Sequence, residues 1–285
     1  MFSRLLVGLW LLVYGKWHLR GSGLLIRLFY PVLPGLKAYP VEVPGVGTVP
    51  IDLHDSGAYN MLLRFKLGDE GTDAGLYRLM EAFLPPGAVL WDVGAFAGYI
   101  SAHFAHPRFK LAAIHAFEPN PVTLAPLRKL FTGSSKVTIH PFALGCADKT
   151  MELAVNPDST SMASLVRREG ATQNVPIHVR RGDAVCEELN LPMPDVIKID
   201  VEGFEHEVIS GLANTITKKN PAIFFEHIFL SDQQIQGMIP AGYKLVFIGD
   251  DGSLSDSLSK RSAGHDAVLI PTAHPQAGKV LSKLA

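Results

Sequence analysis

The chain has few cysteines: its 285 residues contain only Cys146 and Cys186, which lie far apart and form no CxxC motif. This pattern argues against a disulfide scaffold and a cysteine-based zinc site, and it fits a reducing compartment such as the cytoplasm. An excess of one charge is also lacking, since the net charge is −1 and no basic stripe stands out. The sequence therefore does not predict a nucleic-acid-binding protein.

Long apolar runs are missing too. The run from Leu5 to Tyr14 is shorter than the roughly 20 residues that span a bilayer, and no cleavage site of a secretory signal follows it. A second run extends from Leu24 to Tyr30, and both have aromatic residues and scattered Arg or Lys beside them. Residues 1–35 are therefore expected either to contact a membrane peripherally, on its cytoplasmic face, or to form a helical cap on the domain or on a partner subunit. A homo-oligomer is left open.

The dinucleotide fingerprint G-x-G-x-x-G is absent. The stretch from Val89 to Ser101 instead has the pattern of a buried strand, a glycine turn and a helix, with the spacing Asp92-x-Gly94-x-x-x-Gly98. The glycine that would approach a pyrophosphate is missing, and an acid at the strand end would repel phosphate. This disfavours a dehydrogenase or nucleotide-binding module. A cationic ligand without phosphate, such as S-adenosylmethionine, fits better.

A second strand, Leu111 to Phe117, ends at Glu118. An acid at this position accepts hydrogen bonds from both hydroxyls of a ribose, and its distance from the glycine turn is near the roughly 20 residues expected.

Strands and helices alternate over residues 71–285, which predicts an α/β fold with a mainly parallel, doubly wound sheet of seven strands. Residues 1–70 are predicted as an apolar helical leader and a small β extension, with a hairpin in 38–53 and a helix over 55–67. A β-rich excursion follows the third strand of the sheet, and its loop over 156–164 is a candidate for folding over the site. Ionisable residues stand at four strand ends, where such sheets bind ligands: Asp92, Glu118, Asp200 and Glu226-His227.

Several short motifs carry a family resemblance. They are Trp91-Asp92-Val93-Gly94-Ala95 with Gly98-Tyr99, Ala116-Phe117-Glu118-Pro119, Ala143-Leu144-Gly145, Lys198-Ile199-Asp200-Val201-Glu202-Gly203 and Gly211-Leu212. Over roughly residues 70 to 250 the sequence resembles the FkbM family of S-adenosylmethionine-dependent methyltransferases. It departs from the family at Phe96-Ala97, where Asn and then a small or apolar residue are usual.

The resemblance implies a Rossmann-like class I methyltransferase fold and S-adenosylmethionine as methyl donor. It implies that the glycine turn with Gly98 holds the cofactor and that Asp92, Gly94 and Ala95 line its methionine end. Glu118 would bind the ribose hydroxyls, Ala143 and Leu144 would border the adenine, and Tyr99 is a candidate for closing the pocket. Asp200 would lie where the methyl donor ends.

Methyl transfer to a hydroxyl also needs a base or a charge partner. The candidates are Asp200, Glu202 and His227. Glu202 could instead be a charge at a helix N-terminus, and His227 a packed histidine. Asp200 and Glu202 could also hold a divalent cation with Glu226, but no metal site is favoured because no EF-hand or His-rich spacing accompanies them.

The sequence thus predicts a methyltransferase that acts on a hydroxyl of a sugar, glycan or polyketide-type natural product. An N-methyltransferase acting on a peptide side chain and a non-catalytic partner protein with the same fold remain as alternatives.

Overall fold

The computed structural model describes residues 2–17, 24–44, 46–51, 53, 62, 74–156, 159–164 and 173–284. The chain divides into two compact units, residues 1–71 and 72–285. The helix predicted over 55–67 lies almost wholly outside the described residues.

Within its described residues, the first unit contains two helices, a short 3-10 helix (Pro34–Leu36) and a hairpin. Its elements are α1 (Phe2–Trp17), α2 (Leu24–Phe29), β1 (Tyr39–Val43) and β2 (Gly47–Ile51). Helix α1 packs against α2 and the 3-10 helix, and the side chains of Val7 and Trp10 on α1 are buried. In the hairpin, β1 and β2 pair antiparallel with Tyr39 opposite Ile51. No helix in the described ranges is long and apolar enough to cross a membrane.

The second unit contains one large sheet and a smaller, separate one. In chain order its strands are β3 (Val89–Val93), β4 (Ala113–Phe117), β5 (Val137–His140), β6 (Ala143–Gly145), β7 (Lys149–Asn156), β8 (Ser159–Ser164), β9 (Gln173–Arg181), β10 (Val196–Ile199), β11 (Ala222–Glu226), β12 (Tyr243–Ile248), β13 (Leu254–Ser255) and β14 (Asp266–Pro271). The large sheet has the order β13-β12-β14-β11-β10-β3-β4-β5. The strands from β11 to β5 run parallel, whereas β14, β12 and β13 join antiparallel.

Helices accompany these strands. They are α3 (Ala74–Phe83), α4 (Tyr99–Phe104), α5 (Pro121–Leu130), α6 (Gly182–Glu188), α7 (Glu205–Gly211), α8 (Ala213–Lys219), α9 (Asp232–Gly237) and α10 (Ala277–Leu281). Every residue of β3 and of β10 is buried. Such continuous burial is typical of parallel strands whose two faces are both covered. The α/β architecture with a mainly parallel, doubly wound sheet is therefore as predicted.

Two details differ from the sequence-based expectation. Among the residues that the structure describes, the large sheet has eight strands rather than seven, because the two-residue strand β13 adds to the edge at β12. The region predicted as a loop over 156–164 contains β8, which pairs antiparallel with β7 in a separate four-stranded sheet of order β6-β9-β7-β8. Ladder pairing with β7 therefore overrides the polar, turn-like composition of this segment.

Candidate active site

A first cavity, of about 160 Å³, lies at the carboxyl ends of β3, β4 and β10. Its lining residues are Val93, Gly94, Phe96, Phe117, Glu118, Pro119, Asn120, Ala143, Leu144, Leu153, Asp200, Val201, Glu202 and Phe204. This position, outside the carboxyl ends of parallel strands, is where open α/β sheets bind ligands.

The turn after β3 can only be made with glycine at residue 94. Gly94 has φ +82°, and a Cβ atom there would lie 1.9 Å from the carbonyl oxygen of Asp200. The backbone N–H of Gly94 donates to the carbonyl oxygen of Phe117 at 2.9 Å, and the N–H of Asp200 donates to that of Val93 at 2.9 Å. The glycine turn and the end of β10 are thereby held in close contact.

Phe96 occupies a left-handed backbone conformation, with φ +47°. A non-glycine residue rarely adopts this conformation, and Asn is among the residues that tolerate it best. The Asn that is usual in the resembled family at this position thus matches the backbone geometry. The Phe96 N–H donates to Glu118 Oε2 at 2.7 Å, which fixes the turn to the end of β4.

Glu118 is buried and faces the first cavity. Its Oε1 accepts the backbone N–H of Asn120 at 2.8 Å, while Oε2 accepts that of Phe96. Burial raises the pKa of the Glu118 carboxyl, and these hydrogen bonds oppose the rise. Each carboxylate oxygen has a further lone pair, so the group can also accept hydrogen bonds from two hydroxyls of a ligand.

The other end of the first cavity is apolar, being lined by Phe117, Leu144, Leu153 and Phe204. Next to it, β6 and α7 approach so closely that a Cβ atom on Gly211 would lie 1.9 Å from the carbonyl oxygen of Gly145. This contact explains why the two motifs Ala143-Leu144-Gly145 and Gly211-Leu212 occur together. The apolar wall suits a flat, uncharged ring.

A buried carboxyl group holds the loop that follows β10. Glu205 is 1% exposed, and its Oε1 accepts the backbone N–H groups of Val201 at 3.1 Å and Gly203 at 3.2 Å. Burial raises the pKa of Glu205 to about 7. Because Glu202 within this loop has φ +59°, the hydrogen bonds to Glu205 stabilise a backbone that would otherwise be strained. Glu205 therefore positions Asp200 and Glu202.

Asp200 also lines a second cavity, of about 270 Å³. One carboxylate oxygen from each of Asp200, Glu202 and Glu226 lies within 4.8 Å of the other two. Glu202 lines the first cavity and Glu226 the second. Three carboxyl groups thus meet where the two cavities adjoin, and such a group attracts a cation.

Comparison with known proteins identifies the family. The profile described as "Methyltransferase FkbM domain" matches residues 92–260. The chain is 27% identical to hexuronic acid methyltransferase AglP of Haloferax volcanii, over 64% of this chain and 69% of that protein. It is 26% identical to 2-O-methyltransferase NoeI of Sinorhizobium fredii, over 54% of this chain and 68% of that protein.

The chain belongs to the FkbM methyltransferase family. The resemblance in the sequence is thereby confirmed, and the chain is an S-adenosylmethionine-dependent methyltransferase. Among solved structures, methyltransferase FkbM from Methylobacillus flagellatus KT aligns with a TM-score of 0.45 and 15% identity. That alignment covers 74% of this chain and about half (53%) of the other.

In this FkbM-family site, five residues predicted to bind the cofactor line the first cavity: Gly94, Glu118, Ala143, Leu144 and Asp200. The catalytic candidate Glu202 lines it as well. Four further residues line it that the sequence did not predict to bind the cofactor: Phe96, Asn120, Leu153 and Phe204. Phe96 and Asn120 each follow a motif residue, Gly94 and Glu118, by two positions, so the sequence motifs pointed to their neighbourhood. Leu153 reaches the cavity from β7 and Phe204 from the loop before α7.

Two predicted residues support the glycine turn instead of lining the first cavity. Asp92 Oδ2 accepts the Ser101 backbone N–H at 3.1 Å and the Ser101 hydroxyl at 2.6 Å, and burial raises the pKa of Asp92 to about 6. Gly98 has φ +81°, and a Cβ atom there would lie 2.7 Å from Leu127 Cδ1 on α5. The Asp92 carboxyl group is thus directed towards α4, and its place at the methionine end of the cofactor stays a prediction.

Ala95, Tyr99 and His227 are not among the residues that line the first cavity. Ala95 is buried and its N–H donates to the Phe117 carbonyl oxygen at 3.0 Å. Tyr99 lines the second cavity. His227 is 1% exposed, and its ring packs edge-on against Phe247. Since successive side chains of an extended chain point to opposite faces of the sheet, the His227 ring lies on the other face from Glu226. Burial lowers the pKa of His227 to about 4, and its position argues against proton transfer at the site.

Proposed function

We propose that this chain methylates a hydroxyl oxygen of a sugar, a glycan or a polyketide-type natural product. The observation that carries the proposal is Asp200, whose side chain is shared by the first and second cavities. One cavity can therefore hold the methyl donor and the other the acceptor, with a carboxylate between them. The names of AglP and NoeI, which refer to a hexuronic acid and to 2-O-methylation, support a sugar hydroxyl as the acceptor group.

The residues of the first cavity fit S-adenosylmethionine. The Glu118 carboxyl would hold the ribose hydroxyls, and the wall of Phe117, Leu144 and Phe204 would cover the adenine. The cationic methionine end would lie towards Asp200 and Glu202, where the carboxyl groups meet. When bound, the cofactor supplies a methyl group already activated on a sulfonium.

The protein then has two tasks, which are to position the acceptor oxygen and to take its proton. Positioning of reacting groups is worth up to roughly 7–11 kcal/mol of a barrier. We propose Asp200 as the group that accepts the hydroxyl proton, because its side chain is 44% exposed and borders both cavities. Glu202 contributes negative charge on the cofactor side.

A metal ion is not part of this proposal. The Lys198 ammonium lies 3.5 Å from Asp200 Oδ2 and 3.1 Å from Asp266 Oδ1 and already supplies a positive charge to the carboxyl groups. A divalent cation held by Asp200, Glu202 and Glu226 remains the alternative, because the spacing of their oxygens would allow it.

The cofactor assignment is tested by calorimetric titration of the wild type and of Glu118→Ala with S-adenosylmethionine, S-adenosylhomocysteine and NAD. Binding of the two adenosyl ligands, absence of NAD binding, and at least about tenfold weaker adenosyl binding by Glu118→Ala are expected, since the variant loses charge-assisted hydrogen bonds. A folded protein that binds neither adenosyl ligand would favour the non-catalytic partner protein. Turnover on a peptide amine but on no hydroxyl would favour the N-methyltransferase.

We further propose that the first unit binds the surface of an anionic membrane. On α1, Phe2, Leu5, Leu9 and Leu12 are 61–78% exposed and recur at the spacing of one helix face. The first 41 residues contain five Lys or Arg and no Asp or Glu. An exposed apolar stripe within a purely basic segment complements anionic lipid headgroups. A cytoplasmic location, with contact at that face of a membrane, remains a prediction.

Flotation with phosphatidylcholine vesicles, with and without phosphatidylserine, tests this second proposal. The full chain should float with the anionic vesicles, and the triple variant Leu5→Gln, Leu9→Gln, Leu12→Gln should not. The double variant Val122→Gln, Leu189→Gln removes exposed apolar side chains of the second unit and should still float. Equal flotation of the triple variant and the wild type would contradict membrane binding. If the triple substitution instead changes only the sedimentation coefficient of the protein, the apolar stripe contacts a partner subunit.

A further inference from the structure

The backbone of Phe96 is unfavourable for the side chain that it carries. Residue 96 has φ +47°, a left-handed conformation that bulky side chains rarely adopt and that Asn tolerates. The hydrogen bond from the Phe96 N–H to Glu118 Oε2, at 2.7 Å, fixes this conformation. Such strain is concentrated at functional sites. Because Asn would hold the same backbone at a lower cost, the aromatic ring is the feature of Phe96 that calls for a function.

The Phe96 ring lies where the two cavities adjoin. Phe96 lines the first cavity, and Tyr99 lines the second. The two rings pack edge to face, with 5.9 Å between their centroids and 64° between their planes. Asp200, which lines both cavities, also lies at this boundary. A ligand group at the boundary of the two cavities therefore meets an aromatic ring.

The chemistry of the methyl donor brings its positive charge to this boundary. In S-adenosylmethionine the sulfonium sulfur is bonded to the exocyclic carbon of the ribose. A ribose held by Glu118 thus brings the sulfur close to Phe96, whose N–H donates to the same carboxyl group. The methyl group must also face the acceptor, which lies in the second cavity under the proposed function. A cation near the face of an aromatic ring is attracted by it, and more strongly where water is excluded.

We propose that the Phe96 ring recognises the positive charge of the sulfonium and thereby selects the methyl donor over its neutral, demethylated product. The proposal rests on the placement of S-adenosylmethionine in the first cavity under the proposed function. It gives Phe96 a role that Asn, which is usual in the family at this position, cannot fill, because an amide has no aromatic face. A site that holds the neutral product less tightly also releases it sooner after each transfer.

The ring is one of two sources of such selectivity. The carboxyl groups of Asp200 and Glu202 lie close together at the same boundary and also attract a cation. A wild-type preference for the charged donor would therefore not by itself reveal a role of the ring. The test has to compare substitutions of Phe96 that keep or remove the aromatic ring.

Calorimetric titration of the full chain with S-adenosylmethionine and S-adenosylhomocysteine makes this comparison. In Phe96→Leu the side chain stays apolar and has no branch at Cβ, but it lacks an aromatic face. The substitution should weaken binding of S-adenosylmethionine by at least about threefold and binding of S-adenosylhomocysteine by less than about twofold. The ratio of the two dissociation constants is the readout, because a merely structural role would weaken both ligands alike.

The same substitution at the other end of the first cavity provides a matched control. Phe204 lines the apolar wall, is 7% exposed, and has the Lys149 ammonium 5.3 Å from its ring centroid. Phe204→Leu should weaken both ligands equally and leave the ratio unchanged. Phe96→Tyr, which keeps a ring, should also leave the ratio unchanged. Phe96→Asn removes the ring without straining the backbone, so its ratio should change as in Phe96→Leu even if the leucine variant folds poorly.

Sinefungin separates the charge from the methyl group, because it carries an ammonium group in place of the methyl-bearing sulfonium. Phe96→Leu should weaken its binding as much as that of S-adenosylmethionine. An unchanged ratio in both ring-removing variants, an equal change of the ratio in Phe204→Leu, or normal sinefungin binding by Phe96→Leu would overturn the proposal and leave the proposed function intact. A folded wild type that binds no adenosyl ligand would overturn the proposed function and, with it, this proposal.

Discussion

Gly94 and Asp200 approach so closely that no side chain fits between their backbones: a Cβ atom on residue 94 would lie 1.9 Å from the Asp200 carbonyl oxygen. Gly94→Ala must therefore displace the loop after β10 or the glycine turn, and the positive φ of residue 94 adds strain. We expect S-adenosylmethionine affinity to fall by more than about tenfold, measured by calorimetry. Gly237→Ala, where a Cβ atom would meet nothing within 4 Å, should bind normally; equal affinities of the two variants would contradict this expectation.

Asp200→Asn separates binding from chemistry. An amide keeps the size of the side chain but cannot take up the acceptor proton, so turnover should fall by about 100-fold or more while cofactor affinity changes by less than about threefold. The readouts are calorimetry and the rate of S-adenosylhomocysteine formation, with Asp251→Asn as the control on an exposed acid. An Asp200→Asn enzyme with normal turnover would remove Asp200 from the mechanism.

The backbone at Phe96 distinguishes two substitutions of this residue. Asn tolerates a φ of +47°, whereas a β-branched side chain does not, and forcing it there costs roughly 1–3 kcal/mol. Phe96→Asn should keep the cofactor affinity within a few-fold of the wild type, and Phe96→Val should weaken it by about tenfold. The dissociation constants, with thermal midpoints as a check on folding, test this difference. A reversed order would mean that the Phe96 ring, not the backbone, decides binding.

Chelation tests the cluster of Asp200, Glu202 and Glu226. Because Lys198 already neutralises part of this charge, incubation with EDTA should leave the rate of methyl transfer unchanged. A rate that is lost on chelation and restored by Mg²⁺ would instead identify these carboxyl groups as ligands of a divalent cation.

Acid should destabilise the second unit through two buried histidines. His115 Nδ1 and His140 Nε2 lie 3.0 Å apart, and burial lowers the pKa of both rings, that of His140 to about 4. Since the usual histidine value is 6.5, the unfolded chain binds more protons between that pH and about 4. The free energy of unfolding should therefore fall as the pH falls through this window.

Urea unfolding of the wild type and of His140→Phe at about pH 7 and about pH 5 measures this effect. The phenyl ring can keep the stacking on Phe117, which His140 makes at 4.6 Å between centroids. The wild type should lose about 1–2 kcal/mol more than the variant between the two conditions. Equal losses would show that other groups cause the acid sensitivity.

The sequence identified the glycine turn, Glu118 and Asp200 because their signals are local. A strand that ends in an acid and a glycine fixes where a ligand can approach, whatever surrounds it. The same local reading was wrong for the segment 156–164, where strand pairing decides the outcome. Segment 159–164 looks like a loop but pairs with β7, and His227 follows Glu226 in the chain but points to the opposite face of the sheet.

The sequence by itself thus determined the family, the α/β class and most of the first cavity. The reason is that the spacing of motifs at strand ends can be recognised without knowledge of distant contacts. Only the tertiary structure decided that Asp92 bonds to Ser101 instead of lining the first cavity, and that Lys198 meets Asp266, which lies far from it in the chain. It also decided that Asp200 borders two cavities. The physical reason is that hydrogen bonds, ion pairs and cavities depend on which strands are neighbours and which way each side chain points, and both are set by packing across the whole sheet.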